Sequence, residues 1–195
     1  IGADALTALT TGAGNLAIGY QACAANTGGG YNIAVGHNSM LVHDGGLRNI
    51  AIGAFAMDDT DAGSVSKASD DCVFIGYSAG GGTWANQDCS NVIGIGTNAL
   101  SGALEGDSAD GSIAIGTSAL AALTSGAGNT AIGYQAMLTN VDGGYNTAVG
   151  YQALKTFEAD ALNHGANVAV GIQALDIITT GDGNVAIGYQ AGDAI

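Results

Sequence analysis

The chain has 195 residues, of which 34 are glycine, none is proline and only 10% are charged, and its formal net charge is −14. Its Lys and Arg residues number only three, so it lacks the clustered cations that bind nucleic acid or an anionic membrane surface. No run approaches ~18 consecutive apolar residues, which excludes a transmembrane helix. Glycine-rich chains are usually disordered unless a strict repeat organises them.

Such a repeat runs through the whole chain. Residues 129–136 read NTAIGYQA, and the motif returns almost unchanged at 146–153 and 184–191. Successive copies are mostly 17 residues apart, which is typical of stacked coils. We therefore predict an all-β parallel β-solenoid of about eleven coils of ~17 residues, stacked at ~4.8 Å per coil. The reference glycines of the eleven copies are Gly2, Gly19, Gly36, Gly53, Gly76, Gly96, Gly116, Gly133, Gly150, Gly171 and Gly188.

The residue before each reference glycine is always Ile or Val. Because β-branched residues favour strands, this position predicts the buried face of a short strand and the core of the coil. The predicted core column is Ile18, Val35, Ile52, Ile75, Ile95, Ile115, Ile132, Val149, Val170 and Ile187.

Alanine precedes that column in most copies and should lie on the opposite face of the strand. A small-residue stripe suits the close approach of another subunit, and monomers rarely leave such a stripe bare. We therefore predict a trimer seam at Ala17, Ala34, Ala51, Ala114, Ala131, Ala148, Ala169 and Ala186.

Three further columns complete the repeat. Asn opens seven copies, which predicts an amide ladder that also caps a turn. The glycine column predicts a corner where φ is positive or where backbones crowd. A Leu or Met four residues after most reference glycines should close the coil interior from the opposite wall.

The repeat makes residues 1–195 a single domain, most regular over 1–57 and 116–154. Longer insertions within 58–115 and 155–166 should protrude as loops on one side without breaking the stack. The chain begins and ends inside a repeat, so we expect it to be a fragment of a longer fibre.

Residues 112–119, SIAIGTSA, carry the nearest match to a known pattern. The chain resembles the head repeats of the YadA-like trimeric autotransporter adhesins and the similar repeats of bacteriophage tail fibres, over essentially its whole length. This resemblance implies a left-handed β-roll, a homotrimer and an extracellular location on a virion tail fibre or a bacterial cell surface. Two features depart from the adhesin heads: the period of 17 is longer, and Tyr-Gln follows the glycine.

Catalytic chemistry is not indicated by the sequence. The family offers no catalytic residues to carry over, the histidines His37, His43 and His164 are far apart, and no nucleotide-binding motif stands in its proper context. Acid pairs such as Asp58-Asp59 fit solvated loops better than a glycan-cleaving groove. We expect no enzyme activity, no cofactor and no metal, although a calcium ion in an acidic loop stays an alternative.

The candidates for ligand contact are aromatic. Trp84 lies in a glycine-rich insertion, and Tyr134 and Tyr151 share the column after the glycine, where a packing ladder is the alternative to a sugar-binding surface. Cys23, Cys72 and Cys89 are an odd number without metal-ligand spacing, and a Cys72–Cys89 bridge is left open.

The predicted function is a structural fibre or adhesin segment that mediates attachment to a cell or other surface. Its candidate partners are two further copies of the chain and a cell-surface glycan or protein receptor, with no nucleic acid and no direct membrane insertion. The alternatives are an ice-binding or calcium-binding β-solenoid and a glycan-degrading fibre enzyme. Flanking sequence would decide between a phage and a bacterial origin.

Overall fold

A computed structural model describes residues 1–60, 69–84, 89–104, 109–157, 165–178 and 181–193. Its strands are all three residues long and pair in parallel, in chain order, into one ten-stranded sheet. The predicted parallel β-solenoid is therefore confirmed. The strands are β1 Leu16–Ile18, β2 Ile33–Val35, β3 Ile50–Ile52, β4 Val73–Ile75, β5 Ile93–Ile95, β6 Ile113–Ile115, β7 Thr130–Ile132, β8 Thr147–Val149, β9 Val168–Val170 and β10 Val185–Ile187.

Ten strands in sequence define about nine complete turns, fewer than the eleven coils predicted. The first repeat copy, Ile1-Gly2, forms no strand but stacks on the next copy, since the backbone amide of Gly19 donates to the Ile1 carbonyl at 2.8 Å. Within the described ranges, no helix has the length and apolar character needed to cross a membrane.

Hydrogen bonds between coils continue beyond the sheet. In the regular part, the Gln152 amide donates to the Tyr134 carbonyl at 2.9 Å, and the Met137 amide donates to the Ala153 carbonyl at 3.0 Å. The strands pair in the same register, so that Ala131 faces Ala148 across β7 and β8. Residues at the same position of successive repeats therefore lie above one another along the stack.

The glycine column forms the corner that follows each strand. Gly133 has φ +142°, and a Cβ added there would lie 2.6 Å from the carbonyl carbon of Gly150 in the next coil. Both reasons predicted for glycine, a positive φ and crowded backbones, are thus confirmed.

The Leu and Met column closes the interior from the opposite wall, as predicted. Seven of these side chains are completely buried. They pack in one hydrophobic core that runs the length of the stack. These seven are Met40, Met57, Leu100, Leu120, Met137, Leu154 and Leu175.

The predicted core column is wrong, because its Ile and Val side chains point away from the coil interior. Ile18, Ile52 and Ile132 are 38–39% exposed, and Ile187 at the end of the stack is 70% exposed. The full set on the outside, half-buried or exposed, is Ile18, Val35, Ile52, Ile75, Ile95, Ile115, Ile132, Val149, Val170 and Ile187.

The predicted trimer seam is wrong for the same reason, because the alanines lie inside their own coil. Each is the middle residue of a strand and is between 0% and 8% exposed. These alanines are therefore not available to a second subunit. They are Ala17, Ala34, Ala51, Ala114, Ala131, Ala148, Ala169 and Ala186.

The width of the coil explains the inversion. The Leu or Met from the far wall fills the space behind each strand, which leaves room only for alanine. Strand β4 is an exception that shows how limited this space is. Phe74 takes the alanine position there and is completely buried. A Cβ added at Gly80, which replaces the Leu or Met of that coil, would lie 2.6 Å from the Phe74 ring, and one at Gly94 would lie 2.5 Å from it.

The asparagine column forms the predicted ladder inside the coil. Asn129, Asn146 and Asn167 are completely buried. The backbone amide of Asn146 donates to Oδ1 of Asn129 at 3.0 Å, and the backbone amide of Asn167 donates to Oδ1 of Asn146 at the same distance. The Nδ2 groups also bond within the column or to turn carbonyls, as in the 2.8 Å bond from Asn129 to Gly143.

The ladder gives a test of what holds adjacent coils together. Replacing Asn146 with Ala leaves the buried Asn167 amide without its acceptor, which should cost about 1–3 kcal/mol of unfolding free energy. Replacing Asn184 with Ala should cost less, because it removes only donors at the half-buried end of this ladder. Urea unfolding monitored by circular dichroism measures the loss of unfolding free energy in each variant. Equal losses would show that an interior asparagine of the ladder stabilises the stack no more than the one at its end.

Candidate interaction face

The outer face of the sheet is the candidate interaction surface of the described chain. We define it as the first and third residues of all ten strands. The third residues are the Ile and Val column above. The first residues are Leu16, Ile33, Ile50, Val73, Ile93, Ile113, Thr130, Thr147, Val168 and Val185.

This outer face is apolar from one end of the stack to the other. Only Thr130 and Thr147 among its residues are polar, and none is charged. At ~4.8 Å per strand the face extends about 43 Å along the stack. Folded monomers rarely expose a continuous apolar surface of this size, which makes the outer face a candidate for interaction with a partner.

The apolar surface continues around the glycine corner. The residue after each reference glycine is often Tyr, and these side chains keep about half of their surface or more accessible. Their exposed fractions are Tyr20 46%, Tyr77 55%, Tyr134 45%, Tyr151 47% and Tyr189 71%. The apolar surface therefore has two flanks. One is the outer face of the sheet, and the other is the aromatic flank formed by these tyrosines beyond the glycine corner.

Two of the predicted ligand-contact residues meet in this flank. The rings of Tyr134 and Tyr151 stack with centroids 5.3 Å apart and an interplanar angle of 12°. Beside them, Nε2 of Gln152 donates to Oε1 of Gln135 at 2.8 Å. One face of each ring is covered by the other, which favours a packing ladder, since a sugar stacks on a ring face. A role in ligand contact stays a prediction.

The third predicted ligand-contact residue, Trp84, is wrong because it is completely buried. Its ring packs on Phe74, with centroids 5.7 Å apart and an angle of 64°. Trp84 and Leu104 each lie eight residues after their reference glycine, and Leu104 is also buried. The segment that carries Trp84 thus returns its side chain to the coil interior.

The histidines occupy different surroundings. His37 lies in an exposed aromatic stack between Tyr20 and Phe55, at centroid distances of 5.3 and 5.2 Å. His43 is completely buried inside the coil. His164 lies outside the described residues.

The acid pairs act between neighbouring coils. Nε and Nη2 of Arg48 donate to the two carboxylate oxygens of Asp71 at 2.6 and 2.7 Å, which lowers the pKa of Asp71. Asp59 accepts a 2.7 Å hydrogen bond from Thr83, while burial raises the pKa of Asp58 to about 6. Across the part of the chain that is described, no three His, Cys, Asp or Glu side chains converge as a metal site would require.

The three cysteines are buried and form no disulfide. Cys72 donates from its thiol to the Cys89 carbonyl at 3.1 Å, so the two residues are neighbours without a disulfide. Burial raises the pKa of Cys23 and of Cys72 to about 12, which keeps both thiols protonated and unreactive.

Comparison with protein-family models, curated proteins and solved structures found no match for this chain. The outer face must therefore be interpreted from its own chemistry. Sequence reasoning found its residues but placed them inside the coil. The signal that could have corrected this is the second bulky column of Leu and Met, which already fills the interior.

The orientation of the strand can be tested with one charge at two adjacent positions. Ala131→Asp places a carboxylate in the coil interior and should prevent folding, because a buried unpaired charge costs several kcal/mol. Ile132→Asp places the same charge on the outer face and should keep the β-type far-UV spectrum. Thermal unfolding by circular dichroism compares them, and an Ala131→Asp protein as stable as Ile132→Asp would contradict the observed orientation.

Proposed function

We propose that this chain is a structural, non-catalytic segment of a homotrimeric fibre, either a phage tail fibre or a bacterial surface adhesin, that mediates attachment to a cell or other surface. The observation that carries the proposal is the uncharged outer face, which continues over all ten strands. Partner copies of the same chain would cover it along its whole length.

A second copy of the chain suits this face better than an unrelated partner does. Every strand presents two outward side chains at the same height, both aliphatic in eight of ten strands, so similar columns match when the stacks lie parallel and level. A rotation axis parallel to the stack provides this alignment for every coil at once, and it gives a closed oligomer.

Two observations favour three copies over two. The apolar surface has two flanks, the Ile and Val rows and the Tyr column, which meet at the glycine corner. In a three-fold arrangement each subunit contacts one neighbour with one flank and the other neighbour with the second, whereas a two-fold contact uses the same patch on both subunits. The resemblance to YadA-like heads and tail-fibre repeats also implies a trimer.

Attachment follows from presenting the remaining surface three times. Apart from Asp4, no acid lies within four residues of a reference glycine, so the acids lie in the connections and leave the outer face uncharged. Those connections would surround a trimer, where weak contacts to a cell-surface glycan or protein receptor gain through avidity. An extracellular location, on a virion or a bacterial surface, is part of the same proposal.

The assembly is tested by sedimentation equilibrium of the unmodified chain. One chain has a mass of 18.9 kDa, so three have 3 × 18.9 kDa, about 57 kDa. We expect that mass at micromolar concentration. Ile132→Asp should shift the protein to the monomer mass, because a charge on the outer face would be buried without a partner in the assembly.

The matched control places the same charge on another side of the same coil. Ser125→Asp introduces an acid in a connection, and it should keep the trimer mass at about 0.15 M salt, where repulsion from Asp142 in the next coil is screened. A folded monomer at every concentration, or a dimer, would overturn the trimer. Equal dissociation of both variants would show that the outer face is not the contact.

The same three proteins also test attachment. Fluorescently labelled unmodified chain and Ser125→Asp should bind to bacterial envelopes or to mammalian epithelial cells, and monomeric Ile132→Asp should bind at least tenfold less because avidity is lost. Binding of the trimer to neither surface would contradict attachment and leave the assembly result standing.

A further inference from the structure

His43 is enclosed by hydrogen-bonding partners in the coil interior. Its Nδ1 lies 2.8 Å from Oγ1 of Thr60, and its Nε2 lies 3.0 Å from Nδ2 of Asn49. An amide nitrogen can only donate, so Nε2 must accept and carries no proton. Nδ1 then carries the ring proton and donates it to Thr60.

Asn49 cannot simply turn its amide to suit a charged histidine. Its Oδ1 accepts from the Cys72 amide at 2.9 Å, and its Nδ2 donates to the Ser69 carbonyl at 2.7 Å. Its own backbone amide donates to Oδ1 of Asn32 at 2.9 Å. Exchanging the amide oxygen and nitrogen would break both side-chain bonds to the next coil.

The ring also fits closely against the backbone. In two other coils the same place is taken by Asn26 or Asn140, whose Oδ1 accepts from the amide of the glycine three residues later at 2.7 or 3.0 Å. In the His43 coil the corresponding residue is Gly46, and a Cβ added there would overlap Nε2 of the ring. The ring therefore packs directly against the Gly46 backbone and cannot move in that direction.

Among the residues that the structure describes, two charged groups face this histidine, Asp44 beside it in the chain and Asp70 in the next coil. Both carboxylates favour the imidazolium form, but the loss of hydration on burial is the larger effect and lowers the pKa of His43 to about 4. The unfolded chain therefore takes up the proton first. The stabilisation from neutral His43 is complete above about pH 6.5 and is lost progressively as the pH falls towards 4.

We propose that His43 makes the coils around it an acid-sensitive joint in the stack, a property independent of the proposed fibre function. Protonation of Nε2 places a donor against the Nδ2 donor of Asn49 and breaks the contact. Because Asn49 bonds to residues of three successive coils, the stack loosens there first. The ladder of Asn129, Asn146, Asn167 and Asn184 contains only amides and has no such response.

The test compares the intact chain with His43→Asn and His37→Asn at one fixed protein concentration. Asparagine is the natural replacement at position 43, since Asn26 and Asn140 occupy the same place in other coils. Urea unfolding is measured at pH 6 and at pH 5, both above the isoelectric point of 4.1. If unfolding takes up one proton, the unfolding equilibrium constant rises by up to tenfold for each unit that the pH falls.

We expect this additional dependence, about sevenfold between pH 6 and 5 for pKa values of 6.5 unfolded and about 4 folded, in the unmodified chain and in His37→Asn, and its loss in His43→Asn. His37 is exposed and stacked between aromatic rings, so it controls for the removal of any histidine. The same pH dependence in all three proteins would overturn the proposal.

A second measurement needs no variant and covers the case in which His43→Asn fails to fold. Hydrogen exchange of the intact chain at pH 7 and pH 5, corrected for intrinsic rates, should show protection lost first over residues 43–60, with residues 146–157 still protected. Uniform loss of protection, or loss at 146–157 first, would contradict an acid-sensitive joint at His43.

Discussion

The width of the coil interior is the constraint on which the rest of this structure depends. Directly behind each strand the coil has room for one bulky side chain, and in most coils the Leu or Met after the glycine corner supplies it. The strand must then contribute something small, which is alanine in eight of ten strands. Its two β-branched neighbours have no place inside and point outward.

The β4 coil shows that the limit is one of total volume. Phe74 enters from the strand side, and two positions that would compete with its ring are glycine, Gly80 on the far wall and Gly94 in the next strand. A large residue is accommodated only where its neighbours are reduced. This compensation between adjacent coils is what one expects of a close-packed interior rather than of a loose one.

The same constraint gives the protein its surface. Because the bulky residues are forced outward in register, a single chain carries an apolar face as long as the stack itself. The acids are confined to the connections and do not interrupt that face. The architecture and the proposed fibre assembly thus depend on the same sequence pattern.

Periodicity explains what could be predicted from the sequence. The parallel stack, the glycine corner and the asparagine ladder depend only on which residues align from coil to coil, and spacing gives that directly. The direction of each strand face could not be read in this way, because alternation of Ile and Ala is the same whichever side is inside. Trp84 was misjudged because it stands in a longer connection, where no column indicates burial. The burial of His43 could not be predicted because its column holds polar residues, Asn26 and Asn140, in two other coils.

The most direct measurement is the rate of iodoacetamide alkylation at single introduced cysteines, Ala148→Cys and Val149→Cys, as the protein is diluted. The native thiols are buried and give a low background. A cysteine at 148 should react slowly at every concentration, because it lies inside the coil. A cysteine at 149 should react quickly in dilute protein and become protected as the chains associate. Faster reaction at 148 than at 149, or a rate at 149 independent of concentration, would contradict the outward apolar face or its role in assembly.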